Sequence, residues 1–169
     1  MSKYSLIQIF AVVLIFGCDS PKNDPELLND NLMPYALVNH LHEKEVSYHL
    51  GQNIRFSPHV ASFFRGISMT VHCEFRRRWS EEELYEYFSN FYTQNTLVQV
   101  QQKIPEVTNV QNTENAIVGG FTLSDDGKQA SIICCLDNLL KGAASQAMQN
   151  INLVCGFDEM LGLGPLARS

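Results

Sequence analysis

The sequence predicts an α+β domain: a mixed or antiparallel sheet with helices on one face and a long helix at the C-terminal end. Three observations predict it. Residues 66–75 alternate apolar and polar with period two, as a half-buried strand does. Ala116–Leu123 and Gln129–Leu136 are further strand-like runs, joined by the turn sequence Ser124-Asp125-Asp126-Gly127. Residues 80–91 and 138–155 carry apolar side chains at helical spacing. Strands and helices in this order stack as sheet and helix layers around one core.

The elements follow in chain order. Residues 6–18 are nearly all apolar, and the only charge before them is Lys3. The run is short of the roughly 20 apolar residues that span a bilayer. It has the proportions of a signal-peptide core, and Ile15-Phe16-Gly17-Cys18 resembles a lipoprotein cleavage box. A mis-predicted start or exon would read the same way, so residues 1–19 are set apart and 20–169 form the domain. Residues 19–31 are polar and broken by Pro21 and Pro25, which predicts a loop. Leu41–Leu50 predicts a short helix with Glu43, Lys44 and Glu45 on its polar face. Residues 54–57 predict a strand that Pro58 ends.

In the strand at 66–75, Ile67, Met69, Val71, Cys73 and Phe75 share the apolar face. Ser80 and Glu83 then form a capping box, each side chain covering the other's backbone N–H. Leu84, Phe88 and Phe91 line the inner face of the helix that follows. Residues 97–101 predict a strand and 109–115 a polar loop. Asp137 is placed to cap the last helix and Gly156 to end it. Its expected inner face holds Leu140, Ala143, Ala144, Ala147, Met148, Ile151 and Val154.

Composition excludes several functions. Hydrophobic residues make up 45% and charged residues 18%, an ordinary globular balance. The net charge of -6 disfavours a nucleic-acid partner, because phosphate binding needs a basic surface. The basic run Arg76-Arg77-Arg78 is local and reads as a solvated turn. The cysteines at 18, 73, 134, 135 and 155 form no C-x-x-C pair, so no metal site is signalled. Cys134 and Cys135 are neighbours on a strand and point to opposite faces. No G-x-G-x-x-G phosphate loop follows a strand.

Three strings carry a family resemblance. Asp137-Asn138-Leu139-Leu140-Lys141-Gly142-Ala143-Ala144-Ser145-Gln146-Ala147-Met148-Gln149-Asn150 resembles the final-helix signature of N-acetyl-gamma-glutamyl-phosphate reductases. Pro34-Tyr35 with His40-Leu41-His42-Glu43-Lys44-Glu45 resembles that family's histidine segment. Phe56-Ser57-Pro58-His59 with Arg65-Gly66-Ile67 resembles the next one. They stand in family order across residues 20–163, in wording closest to the fungal branch. The resemblance implies a glyceraldehyde-phosphate-dehydrogenase-like C-terminal domain that supplies substrate contacts and homo-oligomer contacts through its sheet. It implies an enzyme that reduces N-acetyl-gamma-glutamyl phosphate to the semialdehyde in arginine biosynthesis. The NADP would be bound mainly by a nucleotide domain that these residues do not encode. Mitochondrial matrix is the implied compartment, with membrane contact only if residues 6–18 are a true leader.

By the same resemblance, His40 or His42 is the acid–base catalyst, with His40 favoured, and Glu45 and Arg65 contact substrate. Asn138 and Lys141 face the cofactor. The bland alternatives are surface histidines for the pair, a solvated charge for Glu45 and an ordinary ion pair for Arg65. His59 and His72 read as structural. The family's nucleophilic cysteine has no counterpart by position, so the chain alone is expected to be inactive. A catalytically dead dimerisation remnant is the alternative reading. Without a nucleotide domain beside it, the last helix is expected to leave an apolar patch exposed.

Overall fold

The computed structural model describes residues 10–14 and 24–164. The lipoprotein-like box at 15–18 and the segment around Pro21 lie outside them. One seven-stranded mixed sheet organises the chain: β1 Phe10–Leu14, β2 Met33–Pro34, β3 Arg55–Val60, β4 Ile67–Glu74, β5 Val98–Val100, β6 Ala116–Leu123 and β7 Gln129–Leu136. Their spatial order is β2-β3-β1-β4-β7-β6-β5. β1 runs parallel to β3 and β5 parallel to β6; the other pairs are antiparallel. The helices are α1 Pro25–Leu28, α2 Leu41–Leu50, α3 Glu81–Phe91 and α4 Ser145–Cys155.

The central hairpin follows the sequence. β6 and β7 have the expected bounds, and Gly127 closes their turn at φ 67°, donating its N–H to the Ser124 carbonyl. The capping box forms as read: Ser80 N–H donates to Glu83, and Glu83 N–H to the Ser80 hydroxyl. α3 lays Leu84 onto one face of the sheet, against Val118, Phe121, Ala130 and Ile132, with Phe88 and Cys134 beside them. Cys135, one residue on, points through the sheet into a second cluster with Val110 and Ile117. Arg77 stacks on Trp79 at 3.5 Å and pairs with Glu83, while all three arginines of the basic run stay exposed.

Three local expectations change. Pro25 does not break the chain but starts α1, where a missing N–H costs nothing and Asp24 accepts from Glu26 N–H. Pro58 does not end β3, which continues to Val60 with Pro58 fully buried. Its carbonyl accepts from Tyr35 N–H, and a residue's N–H and C=O point to the same neighbour. The absent donor therefore falls toward β2, which is only two residues long, and interrupts no extended ladder.

The last helix differs most. It opens with a π-helical turn, Leu140–Ala144, before α4 begins. The buried side chains are Ser145, Gln149 and Asn152, not the apolar stripe. Met148, Ile151 and Val154 are exposed, Val154 at 88%. Asn152 holds the returning tail by donating to the carbonyls of Glu159 and Leu161. The polar side chains face inward because their partners are there. The apolar ones are left exposed, as are Leu153, Phe157 and Leu161.

Candidate functional site

The residues singled out by sequence fall into two groups, the first of them around Phe56. The first is the histidine pair. His40 caps α2, and its Nδ1 accepts the His42 N–H at 3.2 Å. A nitrogen that accepts cannot carry the proton, so neutral His40 is the Nε2–H tautomer. The His40 ring lies 4.9 Å from the His42 ring and 4.8 Å from Phe56, with Tyr35 edge-on at 5.7 Å. His42 stands edge-on to the same phenyl ring at 5.8 Å. His40 is half-buried and His42 exposed. Glu43 is near Arg55 at 4.0 Å, and Glu45 is exposed on α2, one turn beyond His42.

Phe56 is buried and packs against Ile67 and Met69 of β4. Just before Ile67 comes the second group. Arg65 Nε lies 2.7 Å from Asp137 Oδ2, and its Nη2 donates to Asp137 Oδ1 at 3.1 Å. Nη1 donates to Asn112 Oδ1 at 2.6 Å. Asp137 is wholly buried and also accepts the backbone N–H groups of Asn112, Leu139 and Leu140. Burial pushes its carboxyl upward, but these donors and the guanidinium outweigh burial and hold it below the usual carboxylate range. Asn138 Oδ1 accepts the Gly66 N–H at 2.8 Å. Asn112 adopts φ 60°, a left-handed conformation asparagine tolerates, so that its N–H and side chain both reach the network.

Lys141 lies in the π-helical turn and donates to Gln149 Oε1 at 2.5 Å; Gln149 in turn donates to Glu159 at 2.7 Å. Burial lowers the Lys141 ammonium pKa, and Glu159 partly restores it. The structure thus places Arg65, Asn138 and Lys141 along one polar seam from the start of β4 to α4. It makes Arg65 a brace whose three nitrogens are engaged. Sequence reasoning took Asp137 only as a cap and gave no role to Asn112 or Glu159. A signal for Gln149 was present: Ser145, Gln149 and Asn152 form a polar stripe at helical spacing. A groove of about 400 Å³ lies elsewhere, at the β6–β7 turn end of the sheet, lined by His72, Glu74, Thr122, Gln129 and Ser131 among others. None of the candidate site residues lines it.

Three of the described thiols are poorly suited to nucleophilic attack. Burial pushes Cys73 and Cys134 up to about 11, and raises Cys135 as well. Attack needs the thiolate, so burial disfavours these three as nucleophiles at neutral pH. Cys155 is exposed. Iodoacetamide at pH 8 is therefore expected to label Cys155 in the folded chain well before Cys73, Cys134 or Cys135. Peptide mass mapping showing equal labelling of the four would contradict the burial assigned to them. Among the described residues, no three His, Cys, Asp or Glu side chains come together as metal ligands.

This sheet has known counterparts. Residues 18–138 match the family described as "Semialdehyde dehydrogenase, dimerisation domain". The chain belongs to that family. The semialdehyde dehydrogenase dimerisation domain found here is 46% identical over 145 residues to N-acetyl-gamma-glutamyl-phosphate reductase of Xanthomonas campestris, covering 86% of this chain and 46% of that protein. The Stenotrophomonas maltophilia reductase is 49% identical over 144 residues, covering 85% and 45%. "Protein arg11, mitochondrial" of Schizosaccharomyces pombe is 44% identical over 144 residues, covering 85% of this chain and 16% of that protein. The domain spans about half the length of the bacterial relatives. Bacterial relatives match at least as well as the fission-yeast one, so the similarity is not specific to the fungal branch. Aspartate semialdehyde dehydrogenase II of Vibrio cholerae shares the fold at TM-score 0.69 and 16% identity, covering 88% of this chain and 55% of that one. A probable aspartate-semialdehyde dehydrogenase of Pseudomonas aeruginosa does so at 0.70 and 16%, with the same coverage.

Proposed function

We propose that this chain is an assembly module of the N-acetyl-gamma-glutamyl-phosphate reductase type, which dimerises through its sheet and is catalytically silent by itself. The observation that carries the reading is the asymmetry of the sheet. α3 covers one face of β4, β6 and β7. On the other face His72, Glu74, Thr122 and Gln129 are exposed, and His72 Nδ1 sits 2.9 Å from the Ser131 hydroxyl. Farther along this face Val107 and Val110 cover Ile117, Ile133 and Cys135, so the exposed part is the polar turn end of the sheet; such a patch suits a two-fold contact, in which the same surface meets itself. Sedimentation velocity on the purified chain is the test. A dimer is expected, converted to monomer by His72→Glu or Thr122→Arg with the circular dichroism spectrum unchanged. A wild-type monomer at tens of micromolar would sink the reading.

A second reading follows from the histidine pair. Joined to a nucleotide-binding half, His40 or His42 would move the proton during reduction of N-acetyl-gamma-glutamyl phosphate. In that setting Glu45 would meet substrate and Asn138 and Lys141 would face NADP, the hydride source when bound. The residues here do not fit NADP by themselves. The Asn138 side-chain Oδ1 accepts the Gly66 N–H, Lys141 is turned to Gln149, and the sequence has no G-x-G-x-x-G loop. Arg65 would act there through Asp137 and the start of the last helix. Relatives in bacteria favour a bacterial-type parent, and the fission-yeast protein is what supports the mitochondrial compartment.

A further inference from the structure

The exposed end of the sheet is laid out in cross-strand rows. His72 of β4 pairs with Ser131 of β7, and Ser131 with Thr122 of β6. Glu74 pairs with Gln129 in the next row. His72, Glu74, Thr122 and Gln129 are exposed, and with Ser131 they line the groove of about 400 Å³. Two residues apart on one strand, His72 and Glu74 leave the same face about 7 Å from each other. His72 Nδ1 sits 2.9 Å from the Ser131 hydroxyl. A hydroxyl both donates and accepts, so this contact survives protonation of the imidazole. It holds the ring and leaves Nε2 for an approaching group.

The charges around this ring are few. In the two rows across β4, β7 and β6, the ionisable side chains are His72 and Glu74. On the other side, the His72 row passes Phe10 of β1 and reaches Arg55 of β3, which has Glu43 of α2 at 4.0 Å. Past the rows, Arg76 follows Glu74 along the chain, and the β6–β7 turn carries Asp125, Asp126 and Lys128. Of these side-chain types, histidine alone ordinarily changes charge between pH 8 and pH 6. Above that window Glu74 supplies the one charge of the two rows; below it His72 adds the opposite one. A two-fold contact brings one residue to a second on the partner, and that second to the first. A cation beside an anion is self-complementary under this operation, whereas a lone anion repels its own copy.

Resting on the two-fold reading of this face, we propose that His72 and Glu74 make assembly proton-dependent: protonated His72 of each copy pairs with the partner's Glu74, and the dimer tightens as pH falls from 8 to 6. The linkage has one sign. A histidine that gains a carboxylate on association holds its proton more tightly in the dimer, so assembly takes up protons. The whole-chain charge of -6 also shrinks as histidines protonate, but salt at about 0.15 M screens charges beyond about 8 Å and leaves a contact pair less affected.

Sedimentation equilibrium of the full chain at pH 8 and pH 6, at that salt concentration, tests this. The dimer Kd should be about tenfold or more lower at pH 6, since a rise of about one pH unit in the pKa of each His72 is worth a factor of about ten. Equal or weaker association at pH 6 overturns the proposal and leaves the dimer standing. A monomer at both pH values at tens of micromolar sinks the dimer reading itself. His72→Gln and Glu74→Gln should each flatten the pH dependence, with circular dichroism confirming the fold. Either variant keeping the full wild-type ratio overturns the assignment to this pair. The unaltered chain gives an independent readout in NMR spectra. The His72 ring protons should titrate at higher pH in samples concentrated above Kd than in samples diluted below it. The same titration midpoint at both concentrations overturns the proposal.

Discussion

Replacing Arg65 by alanine is expected to destabilise the chain by about 3–5 kcal/mol, the scale for removing one partner of a buried ion pair. Asp137 is wholly buried and the Arg65 side chain is 20% exposed, so solvent does little to screen the contact. The loss has two parts: the charge on Asp137 goes uncompensated, and the fork that spans Asp137 and Asn112 disappears. Arg65→Lys keeps the charge without the fork and should fall between. The pH dependence gives a second readout. The folded Asp137 carboxyl is held below its unfolded value of about 3.9. Its contribution to stability is therefore present above that pH and is lost as pH falls through the folded value. In Arg65→Ala the carboxyl rises, and protonation relieves the buried charge. The gap between variant and wild type should narrow from pH 7 to pH 4 in urea unfolding. A gap independent of pH would mean that lost packing, and not the ion pair, explains the effect.

Phe56→Ala is expected to cost about 3–5 kcal/mol, the range for truncating a buried phenylalanine. Phe56 is 7% exposed and lies under both histidine rings and against Ile67 and Met69. Its removal opens a cavity where β3, α2 and β4 meet. The His40 and His42 ring protons should then move toward free-peptide shifts in NMR spectra, because the phenyl ring no longer sits beside them. Phe56→Leu keeps most of the volume and should cost far less. An alanine variant with wild-type stability would show that the histidine pair is held by α2 alone.

The sequence was most legible where the physics is local. The capping box at Ser80 and Glu83, the turn ending at Gly127, and the left-handed Gly156 at φ 72° each follow from a few neighbouring residues. Period-two alternation placed β4, and the strand-like runs on either side of the Ser124–Gly127 turn placed β6 and β7, to within a residue or so. The histidine pair stood out only through the resemblance of its segment, and its closeness in space follows from His40 capping the helix that carries His42. The brace was not legible, because Asp137 follows Arg65 by 72 residues and Asn112 follows it by 47. An arginine in a sequence does not announce which carboxylate it will meet.

The last helix marks the boundary. Its apolar stripe and its polar stripe were both written at helical spacing, and hydrophobicity alone favoured burying the first. The tail decided otherwise: Glu159 and Leu161 return beneath α4 and supply partners to Gln149 and Asn152, which a buried polar group requires. The sequence by itself determined β4, β6 and β7 with their turn, the caps and the family strings, since these rest on short-range sterics and periodicity. Only the tertiary structure decided which helix face is buried, that Arg65 braces Asp137, and that the apolar run at residues 10–14 lies between β3 and β4. Those are matters of partnership between distant segments, and burial assigns them only once the chain has closed on itself.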